Sequence, residues 1–117
     1  MFKPSLLIAA LFAAPAYADP ARINGVVVSK SGGGYDFDVT VSHTDIGWED
    51  YVDKWRIKDE AGNVLGTRSL AHPHVEEQPF TRSLSGVSIP AGVTVVLIDA
   101  HDTIGGWSAE AKRVELP

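Results

Sequence analysis

The chain has 117 residues, 10 lysines and arginines against 15 acids, no cysteine, and a formal net charge of −5. An acidic chain without a basic patch argues against nucleic acid and anionic membrane surfaces as partners. Without cysteine there is no disulfide, no thiol nucleophile and no lipid-modified N-terminal cysteine.

The N-terminus reads as a targeting segment. Lys3 gives a positive start, residues 6–14 are a short apolar run, and Ala16-Tyr17-Ala18 has the small-x-small pattern of a cleavage site. The expectation is a secretory signal peptide over residues 1–18, cut between Ala18 and Asp19. The apolar run is well short of the ~20 residues that span a bilayer. The rest, residues 19–117, is expected to be one domain of 99 residues (117 minus 18) with a net charge of −6, since Lys3 leaves with the signal. An exported domain without disulfides fits a periplasm.

Residues 20–29 contain Ile23 and Val26-Val27-Val28, a first strand, and Ser31-Gly32-Gly33-Gly34 is the turn after it. The triple glycine is not a phosphate loop, because no Gly-Lys-Ser/Thr follows. In residues 35–43, Tyr35, Phe37, Val39 and Val41 alternate with Asp36, Asp38, Thr40 and Ser42, a strand with one wet face. A polar loop with Asp45, Trp48 and Tyr51 follows. Residues 54–58 alternate again, with Trp55 and Ile57 inward, and residues 59–63 read as a hairpin turn into a strand at 64–70. Residues 80–84 form a fifth strand. Residues 93–100 form the most apolar one, expected to be central. Residues 103–107 read as a loop and 109–116 as a closing strand. Seven short strands with frequent turns predict an all-β fold, a single seven-stranded antiparallel β-sandwich.

Residues 84–100, Leu-Ser-Gly-Val-Ser-Ile-Pro-Ala-Gly-Val-Thr-Val-Val-Leu-Ile-Asp-Ala, resemble the end of a fibronectin type III domain, of the immunoglobulin-like class. That family has a leucine, a proline-glycine turn and an alternating strand that closes on alanine. Trp55 stands where its third strand carries a core aromatic, and Thr94 stands where the family has tyrosine. The run from His72-Pro73-His74-Val75 to Gln78-Pro79-Phe80-Thr81-Arg82-Ser83-Leu84 is similar to one carried by small exported bacterial proteins. Neither resemblance implies an enzyme.

The strand count places the histidines. Successive loops of a sandwich alternate between its ends. The loops that begin at His43, hold His72 and His74, and begin at His101 are alternate loops, so all are expected at one end. His72 and His74 are two apart, and in an extended segment both point the same way, with Pro73 stiffening the link. They are the expected metal ligands, with His43 and His101 adding to them and Asp45, Asp102, Glu76 or Glu77 as oxygen ligands or supports. Residues 19–117 contain neither methionine nor cysteine, which excludes a soft Cu(I) site and leaves Cu(II) or Zn(II). No organic cofactor is indicated. The plainer readings are that Glu76 and Glu77 are solvated, His43 bonds its own loop, and the prolines only bend the chain. Trp48, Trp107 and Tyr51 suit a surface for a protein or glycan partner, the alternative function. No Gly-x-Ser-x-Gly elbow is present, and no catalytic residue is expected. The leading expectation is therefore a periplasmic β-sandwich that carries or buffers a divalent metal through loop histidines.

Overall fold

In the computed structural model, residues 19–117 are described. The signal segment expected over residues 1–18 lies outside them. Among the described residues no helix is long and apolar enough to cross a membrane. The elements are strands: β1 (Arg22–Ser31), β2 (Gly34–Ser42), β3 (Val52–Lys58), β4 (Val64–Ser69), β5 (Phe80–Val87), β6 (Val95–Asp102), β7 (Gly106–Trp107) and β8 (Lys112–Glu115).

They form two antiparallel sheets. One has three strands in the order β1-β2-β5. The other has five, in the order β4-β3-β6-β7, with β8 also paired to β6. Period-two alternation sets the faces. Phe37, Val39 and Val41 of β2 turn inward, as do Trp55 and Ile57 of β3 and Val96, Ile98 and Ala100 of β6, all fully buried. They close one core together with Ala21, Val52, Leu70, Phe80 and Val87.

The strand count is eight, not the expected seven. The difference lies at the last strand. Leu97 and Ile98 of β6 pair with β3 on one edge and with β8 on the other. His101 and Asp102 pair with β3 and with β7 in the same way. So β7 and β8 share one edge of β6 and are two pieces of a single closing strand. Residues 108–111 interrupt it. Ser108 still donates its N–H to the Ala100 carbonyl at 2.9 Å, but its hydroxyl turns to the Glu110 carbonyl at 3.1 Å and the ladder breaks. β3 also starts earlier than expected, at Val52, because a register shift between Val52 and Lys54 lets Val52 face inward beside Trp55.

Candidate functional site

The three loops that follow β2, β4 and β6 meet at one end of the sandwich. Three polar side chains cap the core there, and each extends an inward-facing series by two residues. His43 follows Phe37, Val39 and Val41. Asp102 follows Val96, Ile98 and Ala100. Asp50 precedes Val52. The strand periodicity that buries the valines thus buries one imidazole and two carboxylates, with His43 6%, Asp50 7% and Asp102 3% exposed.

His43 Nδ1 lies 2.6 Å from Asp45 Oδ1. The Asp45 carboxylate is fixed from two further sides. Its Oδ1 accepts the Val52 N–H at 3.1 Å, and its Oδ2 accepts the His74 N–H at 2.8 Å. A carboxylate only accepts, so His43 donates from Nδ1. Its Nε2 faces Asp50 Oδ1 at 3.7 Å and Asp102 Oδ2 at 3.9 Å. Both separations exceed hydrogen-bond length. His43 Nε2 and Asp50 Oδ1 are buried and have no hydrogen-bond partner among the described residues.

The two carboxylates are held differently. Asp102 Oδ1 accepts the N–H groups of Ile104 and Gly105. A Cβ at Gly105 would stand 3.2 Å from Asp102 Oδ2, so glycine is what lets the backbone come this close. Asp50 is placed by its backbone alone. Ile46 N–H bonds the Asp50 carbonyl at 3.0 Å and Asp50 N–H bonds the Gly47 carbonyl at 3.2 Å, which closes a tight turn over residues 46–50. Gly47 adopts a φ of 154° within it. Thr103 ties this turn to the loop after β6, through Thr103 N–H to the Tyr51 carbonyl (3.0 Å) and Tyr51 N–H to Thr103 Oγ1 (3.2 Å). Burial pushes the Asp50 carboxyl above its usual range. The charges of Asp102, Asp45 and Glu49 push the same way and His43 opposes them.

The other expected ligands are elsewhere. His74 Nε2 is 2.9 Å from Arg82 Nη2. A guanidinium only donates, so the single lone pair of neutral His74 is taken and its Nδ1 carries the proton. The ring stacks on Phe80, with centroids 3.9 Å apart and planes at 11°. Burial lowers the His74 pKa, and Arg82 and His72 lower it further. His72 is exposed and its ring centroid lies 4.7 Å from that of His74. His101 lies on the outer face of the sheet, with Nδ1 2.6 Å from Asp53 Oδ1 and its ring edge-on to Trp107. There Arg56 stacks 3.6 Å from the Trp107 centroid and grips Asp99 through two hydrogen bonds of 2.8 and 3.1 Å. Glu76 and Glu77 are exposed, and Glu77 reaches Arg82 at 3.4 Å. Trp48 is 66% exposed, with Tyr51 edge-on at 5.5 Å.

The expectation of a His72/His74 pair with His43 and His101 is therefore corrected. The four imidazoles do not converge. Among the described residues, the donors that lie within 4.8 Å of one another are those of His43, Asp50 and Asp102. Asp50 was not foreseen. Its signal was the spacing to Val52, which showed only once β3 was known to begin there. Asp45 contacts His43 Nδ1 at 2.6 Å.

No family model matches the chain, and no solved structure matches it. A protein of Halomicrobium mukohataei named "Putative lipoprotein" is 36% identical over 96 residues, which cover 81% of this chain and 47% of the relative. The chain thus spans about half the length of that relative.

Proposed function

We propose that this is an exported, envelope-associated β-sandwich module that binds a divalent transition metal, Zn(II) before Cu(II), at His43, Asp50 and Asp102. The single observation that carries the reading is the buried His43 Nε2, without a hydrogen-bond partner among the described residues and with two carboxylate oxygens at 3.7 and 3.9 Å. Two ligand atoms about 2.1 Å from a tetrahedral ion stand about 3.4 Å apart. The two distances from His43 Nε2 exceed that spacing by a few tenths of an ångström, and all three donors lie within 4.8 Å of one another. One neutral imidazole and two carboxylates balance a divalent charge. Zn(II) is put first because a small set of one imidazole and carboxylate oxygens suits its tetrahedral coordination. Asp45 orients the imidazole, as carboxylates behind zinc-bound histidines do.

Export is supported by the reading of residues 1–18 and by the relative's name. The fibronectin type III-like, immunoglobulin-like assignment is supported by the two-sheet layout with Trp55 fully buried at its centre. The role proposed is to hold the ion rather than to catalyse with it.

Calorimetric titration tests this. EDTA-stripped wild type binds Zn(II) at micromolar Kd or tighter. His43→Ala and Asp50→Asn each weaken binding at least tenfold, and the His72→Ala/His74→Ala double variant binds like wild type. Wild-type binding no tighter than about millimolar, the level of scattered surface histidines, refutes the site. Loss of binding in the double variant alone returns it to the loop after β4. Circular dichroism on each variant separates lost ligands from lost fold.

A further inference from the structure

The end of the sandwich that holds His43 has a second character. Among the described residues six large hydrophobic side chains lie exposed: Val27, Ile46, Trp48, Val64, Val75 and Ile104. Four of them, Ile46, Trp48, Val75 and Ile104, stand on the three loops at this end. Thr103 bonds both to Tyr51 and to the Glu49 carbonyl (3.3 Å), which ties the loop of Ile104 to the turn that carries Ile46 and Trp48. Next to it a shallow recess of about 340 Å³ opens between Thr44, Asp45, Val75 and Gln78.

The exposed acids of these loops are Glu49, Glu76 and Glu77, whereas Asp45, Asp50 and Asp102 are buried. Residues 43–51, 70–79 and 102–106 contain no lysine or arginine; the nearby cations are Arg82, 3.4 Å from Glu77, and Arg22 at the recess. A divalent ion at His43 would balance the buried Asp50 and Asp102 and leave the exposed charges as they are. An exposed apolar patch rimmed by charge marks an interaction site, and the charge selects the partner.

We propose that this end docks a basic polypeptide segment, with Ile46, Trp48 and Ile104 taking an apolar anchor and the surrounding carboxylates taking its lysines or arginines. A tryptophan at the centre of such a patch is the residue type that carries binding energy. A nucleic acid or an anionic lipid surface is repelled by the same charges. The proposal extends the reading of these loops as a binding end, and it stands whether or not a metal is present.

The test uses residues 19–117 in EDTA and again with Zn(II). The probes are a short peptide of lysines around a central leucine, its glutamate counterpart, and a counterpart with glycine for leucine. The lysine–leucine peptide binds with a Kd of roughly 10–100 μM at low salt, and binding weakens about tenfold when salt rises to about 0.2 M. The glutamate peptide does not bind. The glycine peptide binds about tenfold more weakly, and so does the lysine–leucine peptide to a Trp48→Ser/Ile104→Ser variant. A Val27→Ser/Val64→Ser variant, altered on exposed positions of β1 and β4, binds like wild type. Equal binding of the leucine and glycine peptides, or equal loss in both variants, overturns the proposal. Because the EDTA arm is read separately, failure of metal binding and failure of docking are distinguishable.

Discussion

Replacing Asp45 by alanine should be among the most damaging single changes in the domain. Three donors converge on its carboxylate: His43 Nδ1–H at 2.6 Å, Val52 N–H at 3.1 Å and His74 N–H at 2.8 Å. They come from the loop after β2, the start of β3 and the loop after β4. All are buried, so alanine leaves donors without acceptors rather than exchanging them for water. Each orphaned donor costs roughly 1–3 kcal/mol. Loop relaxation returns some of this, and loss of one negative charge beside Asp50 and Asp102 returns a little more. The net is about 4 kcal/mol, against a total of roughly 5–15 kcal/mol for a domain of this kind. Urea denaturation reads the free-energy change directly, and melting should fall by roughly 15–30 °C. Asp45→Asn keeps one oxygen for His43 and Val52 but sets an amide NH₂ against the His74 N–H, so its cost should fall between alanine and wild type. A loss below about 1 kcal/mol for Asp45→Ala would refute the account of Asp45 as the joint of the three loops.

Three further outcomes are expected. His74 has its pKa lowered by burial, Arg82 and His72, with Glu77 and Asp45 opposing, so its neutral form is the one the fold favours. Its contribution is complete above the ordinary imidazole value of 6.5 and is lost as pH falls through the lower folded value; urea titration should show wild type losing more stability between about pH 7.5 and 5.5 than His74→Gln, which keeps a neutral acceptor for Arg82. Asp50 has its pKa raised above 3.8, mainly by burial, so its ionised form opposes folding at neutral pH. Metal-free Asp50→Asn should therefore be more stable than wild type at neutral pH, with the gain vanishing below the ordinary carboxylate value of 3.8, where both side chains are neutral. Asp99 is 2% exposed beneath Arg56 and Lys58. Asp99→Ala should cost about 2 kcal/mol, less than a fully buried pair because both cations can turn to water.

The sequence made the end of the sandwich legible but not the site within it. Alternation in β2, β3 and β6 was enough to put the loops of His43, His74 and Asp102 together, because loop ends follow from counting strands. The choice of ligands failed for a local reason. His72 and His74 lie in a loop, where spacing of two does not fix side-chain direction as it does in a strand. Arg82, eight residues on, takes the one lone pair His74 has to give. His43 and Asp102 were more predictable than they were made to be, since each continues an inward series. His101 was set on the outer face by the same periodicity and stayed there. The break in the closing strand at residues 108–111 had no such pattern behind it.

The way the three candidate ligands are held separates them into two kinds. His43 is locked by Asp45, and Asp102 by the N–H groups of Ile104 and Gly105. Their geometry is set by the backbone before anything arrives. Asp50 Oδ1 has no such partner, and its side chain is the most exposed of the three at 10%, against 0% and 4%. Apolar side chains at these positions would cap the core at lower electrostatic cost, because a buried unpaired charge opposes folding. Two fixed ligands and one adaptable one are what an ion entering from the rim would need. His43 extends a strand of the three-stranded sheet, whereas Asp50 and Asp102 extend strands of the other. An ion at this point would therefore brace the two sheets against each other, and its free energy of binding would be added to that of folding. Hydrogen exchange should then slow on loading at the amides of His43, on the side of the three-stranded sheet, and of Val52 and Ile104, on that of the five-stranded one, and stay unchanged at the hairpin turn between β3 and β4.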